Sequence, residues 1–231
     1  PELTHHITLK SIQIAQYTGL LNFAHDKPVH APYDFCGLKL TNRVGLAAGL
    51  DKDGRYIDAL ANLGFGYLEI GTVTPKPQSG NPKPRMFRLP QVGGIINRMG
   101  FNNDGVDACV ERVKRSKYWQ SGGILGLNIG KNASTAMEAA ANDYVTCMQK
   151  VYDVASYITI NISSPNTKNL RQLQGADELS ELLSIIHQQR IALIDTHQKR
   201  VPLFLKIAPD LDQAQVSVIA ELLLKFGIDA V

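Results

Sequence analysis

From residue 43 onward the chain alternates short β-rich runs ending in Gly, Asn, Ser or Pro with longer stretches of helical period, a pattern that confines it to parallel βα units. Five complete runs occupy residues 44–48, 67–72, 124–129, 157–162 and 203–207, and a sixth begins at Asp229. Each is apolar along nearly its whole length, as expected of strands covered on both faces. Helices are read at 56–63, closed by Gly64 as a left-handed cap, at 177–197, and at 212–226, closed by Gly227. A whole (β/α)₈ barrel takes about 250 residues. Roughly five units fit here, so the expectation is an α/β chain that is either an open sheet or an incomplete (β/α)₈ TIM barrel. Pro1 is not a natural start, and Val231 falls inside an apolar run, so both ends read as cut.

The first forty residues follow a different pattern. Leu3, Ile7, Ile14 and Leu21 lie near one helical face, with Ile12 and Leu20 beside it and Lys10, Gln13 and Gln16 opposite. The segment stops before Pro28 and Pro32. This predicts an amphipathic helix within residues 1–30, followed by a barrel over 31–231. Two roles stay open: packing against the barrel, or lying on a membrane surface.

Composition narrows the function classes. Hydrophobic residues make up 44% and charged residues 19%, which is globular rather than disordered. The net charge of +3 comes without a basic block, so nucleic acid is not an expected partner. Cys36, Cys109 and Cys147 are odd in number and lack CxxC spacing, which predicts neither disulfides nor a zinc site and fits a reducing compartment. No apolar run reaches the roughly 18 to 20 residues of a spanning helix, and no signal peptide precedes the first domain signal.

In a parallel α/β domain the chemistry sits at the carboxyl ends of the strands. The first strand runs into Ala47-Ala48-Gly49-Leu50-Asp51-Lys52-Asp53-Gly54, small residues beside a lysine. An ordinary turn with an Asp cap explains the Gly and Asp but not Lys52. After the second strand, Glu69-Ile70-Gly71-Thr72-Val73-Thr74, a Pro-rich stretch of more than 20 residues with little regular structure leads to Asn97-Arg98-Met99-Gly100-Phe101-Asn102-Asn103-Asp104-Gly105, and such long loops are usually lids or binding loops. A helix start accounts for Asn103 and Asp104 but not for Asn97. The third strand carries Asn128, whose amide both donates and accepts. Gly126 to Gly130-Lys131 is too short for a phosphate loop and no Ser or Thr follows. The fourth strand ends Asn161-Ile162-Ser163-Ser164-Pro165-Asn166-Thr167, either a polar pocket or a plain turn. In the fifth, Lys206 between apolar neighbours is expected to need a negative partner or a shifted pKa, which leaves an anionic ligand or Schiff-base lyase chemistry open. The six His lie in the N-terminal segment or on helices, against a His or metal site.

Taken together, these segments closely resemble the quinone-dependent, membrane-associated class of dihydroorotate dehydrogenase, over nearly the whole chain and in the right order. The resemblance implies an FMN-containing barrel that oxidises dihydroorotate to orotate in pyrimidine biosynthesis and passes electrons to ubiquinone or menaquinone. Position by position it assigns Ser164 as the catalytic base, where the soluble class carries cysteine. It places Lys52, Asn97, Arg98, Met99, Gly100, Phe101, Asn161 and Asn166 around the substrate, and Ala48, Gly49, Thr72, Asn128, Asn161 and Lys206 around FMN. It further implies that the N-terminal helix forms a quinone entrance on a membrane surface, at the cytoplasmic face of the inner membrane in a bacterium, and that the enzyme is monomeric. The family's later strands, with their phosphate-binding loops, lie beyond Val231. The piece 1–231 alone is therefore expected to be insoluble or flavin-free, an inactive fragment of its parent.

Overall fold

A computed structural model describes residues 2–21 and 29–231 of the chain. In order, the elements are α1 (Glu2–Tyr17), the hairpin β1 (Tyr33–Phe35) and β2 (Leu38–Leu40), β3 (Gly45–Leu46), α2 (Ile57–Ala61), β4 (Tyr67–Val73), a second hairpin β5 (Met86–Leu89) and β6 (Gly94–Asn97), α3 (Val106–Arg115), α4 (Lys117–Gln120), β7 (Leu125–Ile129), α5 (Ala140–Val151), β8 (Tyr157–Asn161), α6 (Ala176–His197), β9 (Leu203–Lys206) and α7 (Gln213–Lys225). Strands β3, β4, β7, β8 and β9 form one parallel sheet whose spatial order is their order in sequence. Ala230 bridges Phe204 in parallel, where the sixth strand was expected to begin. With helices between successive strands, this is an incomplete (β/α)₈ barrel.

The strands are not apolar on both faces as expected. Leu68, Ile70, Leu125, Leu127, Ile158, Ile160, Leu203 and Leu205 are buried in the layer shared with the helices. The alternate positions carry Glu69, Asn128, Thr159, Asn161 and Lys206, which stack in register on the other side of the sheet. The inner face of the barrel is therefore polar toward the carboxyl ends of the strands, where a site can form, and aromatic below, where Tyr67, Tyr157 and Phe204 pack together.

The Pro-rich stretch after β4 is more regular than expected. Residues 86–97 pair as an antiparallel hairpin with Met86 opposite Asn97 and Leu89 opposite Gly94, turned by Pro90–Val92 and a left-handed Gly93. Its apolar residues Phe87, Leu89, Ile95 and Ile96 are exposed, so their alternation marks no core face.

The N-terminal helix exists, and its apolar stripe does not pack on the barrel. Leu3, Ile7 and Ile14 are 73%, 57% and 55% exposed, while Leu9 alone on this helix is buried. Contact with the barrel is made by Leu9, half-buried Ile12, the edge of His6 on Tyr56, and an ion pair from Glu2 to Arg85. Pro28, before which the helix was expected to stop, lies outside the described residues, as does His25.

Candidate active site

Parallel register places Gly71 beside Asn128, Asn128 beside Thr159, and Asn161 beside Lys206. The polar side chains at this level bond to one another. Thr72 Oγ1 donates to Asn128 Oδ1 at 2.5 Å, and Asn161 Nδ2 donates to Thr72 Oγ1 at 2.9 Å and to Asn128 Oδ1 at 3.1 Å. All three residues are buried. One layer down, Glu69 accepts from Asn128 Nδ2 at 2.7 Å and from the hydroxyls of Tyr157 and Thr159 at 3.0 Å each. A carboxylate with three donors fixes which way the Asn128 amide faces, and through it the rest of the array.

The loop after β8 grows from this array. Asn161 Oδ1 accepts from Ser163 N at 3.1 Å and from Ser163 Oγ at 2.8 Å. Half-buried Ser164 accepts from Asn166 N at 3.2 Å, and Asn166 Nδ2 reaches Asn97 Oδ1 at 3.4 Å. Asn97 and Asn166, both assigned to the substrate, therefore meet across 69 residues in sequence, with Ser164, assigned as the base, bonded to Asn166 N. Arg171 ties Ser163 O to Asp210, which anchors the loop to the next strand end. Thr167 is buried and its Oγ1 has no hydrogen-bond partner among the described residues. Of the segment following β6, Arg98 turns away to bond Pro84 O at 2.9 and 3.1 Å, while Gly100 and Phe101 are buried.

Lys52 is half-buried and donates to Asn102 Oδ1 at 2.6 Å. Burial brings its pKa down to about 8, helped by the Arg85 cation and opposed by Asp53 and Glu2. Lys52 shares a cavity of about 810 Å³ with Ala48, Gly49, Met99 and Asn102, roofed by α1 through Leu3 and Leu9. Asp51 does structural work: its buried carboxylate accepts from Arg55 N and Tyr56 N at 2.9 and 2.7 Å, closing the turn into α2.

Lys206 departs from expectation. It is exposed and lines a separate cavity of about 490 Å³ with Glu69, Tyr157 and Thr159. In this chain the Lys206 ammonium reaches solvent along the inner face of β9.

The dihydroorotate dehydrogenase family model matches residues 31–231 of the chain. The chain belongs to the dihydroorotate dehydrogenase family. It is 63% identical over 231 residues to the dihydroorotate dehydrogenase (quinone) of Polynucleobacter necessarius and 62% identical to that of Polynucleobacter asymbioticus, covering 100% of this chain and 67% of each relative. A crystal structure of DHODH from Eimeria tenella in complex with ferulenol superposes with a TM-score of 0.87 at 36% identity, covering 99% of this chain and 65% of that one. The ligand-free form from the same organism gives 0.85 at 37%. The chain thus spans about two thirds of the length of these relatives.

The site suits the flavin on which enzymes of this family depend. A side chain at Gly49 would meet nothing within 4 Å, so there is open space beside this backbone, and the amides of Asn128 and Asn161, bonded to one another here, are groups that can both donate to and accept from a heterocycle. Residue-by-residue sequence reasoning missed Glu69, Asn81 and Arg85, and took Asn102 only as one of the asparagines of the binding loop. Glu69 alone had a readable signal, a carboxylate at an inward strand position two residues before Gly71; the others act through partners far away in sequence.

Proposed function

We propose that the protein of which this chain is part oxidises dihydroorotate to orotate in de novo pyrimidine biosynthesis and delivers the electrons to a quinone, ubiquinone or menaquinone, with FMN as the flavin. The observation that carries this reading is the hydrogen-bonded array of Thr72, Asn128 and Asn161, to which Ser163 bonds and from which the chain continues directly into the loop of Ser164 and Asn166. This supports a site in which the Ser164 hydroxyl, the amides of Asn161 and Asn166 and the polar layer read as facing the flavin share one backbone.

Bound FMN supplies the hydride acceptor for the C6 hydrogen of the substrate. Ser164 takes the C5 proton, and because a free serine is a weak base it must hand that proton onward. In this reading Thr167, on the same loop and with its buried Oγ1 unpartnered among the described residues, is the relay hydroxyl: it takes that proton as it releases its own toward solvent. Asn97, Asn161 and Asn166 hold the pyrimidine ring without adding charge, and Lys52 neutralises its carboxylate. Met99, Gly100 and Phe101 form the wall of that pocket in this reading, and Arg98, bonded to Pro84 O, fixes the backbone that carries them. Ala48, Gly49, Thr72, Asn128, Asn161 and Lys206 hold the flavin, Lys206 at the end where negative charge builds on reduction.

On the acceptor side, residues 1–30 act as the segment that meets the membrane, and 31–231 as the flavin barrel. The exposed Leu3, Ile7 and Ile14 support this, together with the cavity that runs beneath α1 to Ala48. No helix among the described residues is long and apolar enough to cross a bilayer, which fits peripheral attachment at the cytoplasmic face of the inner membrane. The working unit in this reading is a monomer without nucleic acid. The test is acceptor preference of the full-length enzyme given dihydroorotate. A quinone should support turnover where fumarate and NAD do not; turnover with fumarate or NAD alone would reject the reading.

A further inference from the structure

Between β4 and the hairpin, residues 79–85 thread beneath the substrate segment. A Cβ on Gly80 would lie 2.3 Å from Met99 O. At Gly100, φ is +72° and a Cβ would fall 2.9 Å from the carboxamide of Asn81, so only glycine lets that amide pass. Both N–H groups of that amide are engaged, and so is the residue's backbone. Asn81 Nδ2 donates to Arg98 O at 3.0 Å and to Asn166 O at 3.1 Å, and its backbone N–H donates to Met99 O at 3.0 Å. Its carbonyl in turn accepts from Arg85 Nη1 at 3.2 Å, and Arg85 is clamped by Glu2 through a bidentate pair at 2.7 and 3.2 Å.

One carboxamide therefore joins the segment that carries Asn97 to the loop that carries Ser164, and the only side-chain contact between Asn97 and Asn166 themselves is the long one of 3.4 Å. We propose that Asn81 is a positioning residue for the reaction: its amide sets the separation of the Asn97 and Ser164 segments, and so the aim of the base at the substrate carbon. The inference rests on the dihydroorotate reading. Asn81 touches neither reactant. It acts through Asn166 O and Arg98 O, holding two loops whose own contacts would let them part.

The test uses full-length, flavin-loaded enzyme carrying Asn81→Ala and Asn81→Asp, the second keeping the size while replacing the donor with an acceptor. Both should retain the flavin spectrum and the wild-type rate at which quinone reoxidises chemically reduced flavin. Both should lose about 10- to 100-fold in the rate of flavin reduction by saturating dihydroorotate, the range expected when a base is misplaced by roughly an ångström. Amide hydrogen exchange in residues 163–169 should speed up in both. Wild-type reduction rates in either flavin-retaining variant would overturn the proposal. Loss of flavin from both would overturn it as well, by making Asn81 a requirement of the fold. If dihydroorotate fails to reduce the flavin of the unmodified enzyme, the fault lies with the functional reading and not with Asn81.

Discussion

Asn161 at the end of β8 donates to the Thr72 hydroxyl of β4 at 2.9 Å although β7 lies between the two strands, so Asn128 of β7 is enclosed from both sides. Three strand ends are thereby locked at one height. Asn161→Ala removes both donors from this array and leaves Asn128 Oδ1 with a single one, in a place water does not reach. The expected cost is about 1–3 kcal/mol of stability in the full-length protein, read from denaturant unfolding, with weaker flavin binding by titration. Thr72→Ala should cost less, since the Asn161–Asn128 bond survives it.

Lys52 gives a pH signature with a definite sign. Its pKa is lowered to about 8, so the ammonium is present below that value and lost as pH rises through it. The profile of kcat/KM for dihydroorotate, which reports the free enzyme, should fall on the alkaline side near pH 8. Lys52→Met should remove that limb and reduce kcat/KM at every pH. An unchanged alkaline limb in Lys52→Met would assign the titration to another group.

Glu2 anchors the N-terminal helix. Hydrogen bonding to Arg85, aided by Lys83, lowers its pKa to about 2 against the ordinary 4.5. A lowered carboxylate stabilises the folded arrangement above the ordinary value and loses that contribution as pH falls toward 2, so at neutral pH the latch is closed. Glu2→Gln at pH 7 should accelerate amide exchange across residues 2–17 and raise the KM for quinone, with dihydroorotate-driven flavin reduction unchanged. Equal exchange in the variant and wild type would show that Leu9 and Ile12 hold the helix unaided.

Much of this was legible before any coordinates. Each βα unit of the sheet announces itself by an apolar run and a punctuating residue, and the ends Tyr67, Tyr157 and Leu203 fall where the pattern starts them. The inward polar layer was misjudged because Glu69 and Thr159 are spaced among apolar neighbours that point the other way. The hairpin at 86–97 was hidden because its alternation divides no core from solvent: Ile95 and Ile96 are adjacent and both exposed. The stripe on α1 is apolar on the outside, which periodicity alone reports without a direction. Lys206 shows how far local sequence reaches: apolar neighbours mark it as unusual, while its exposure is set by what faces the inner side of β9. Asn81 could not be read at all. Its amide meets carbonyls 17 and 85 residues away, and no local pattern encodes such a bond.

Most directly exposed to test is the assignment of Ser164 as the base. Full-length Ser164→Ala, loaded with FMN and mixed anaerobically with dihydroorotate, should bleach the flavin at least about 100-fold more slowly than wild type, while its flavin content and quinone reoxidation of dithionite-reduced enzyme stay normal. Bleaching within a few-fold of the wild-type rate would contradict the account.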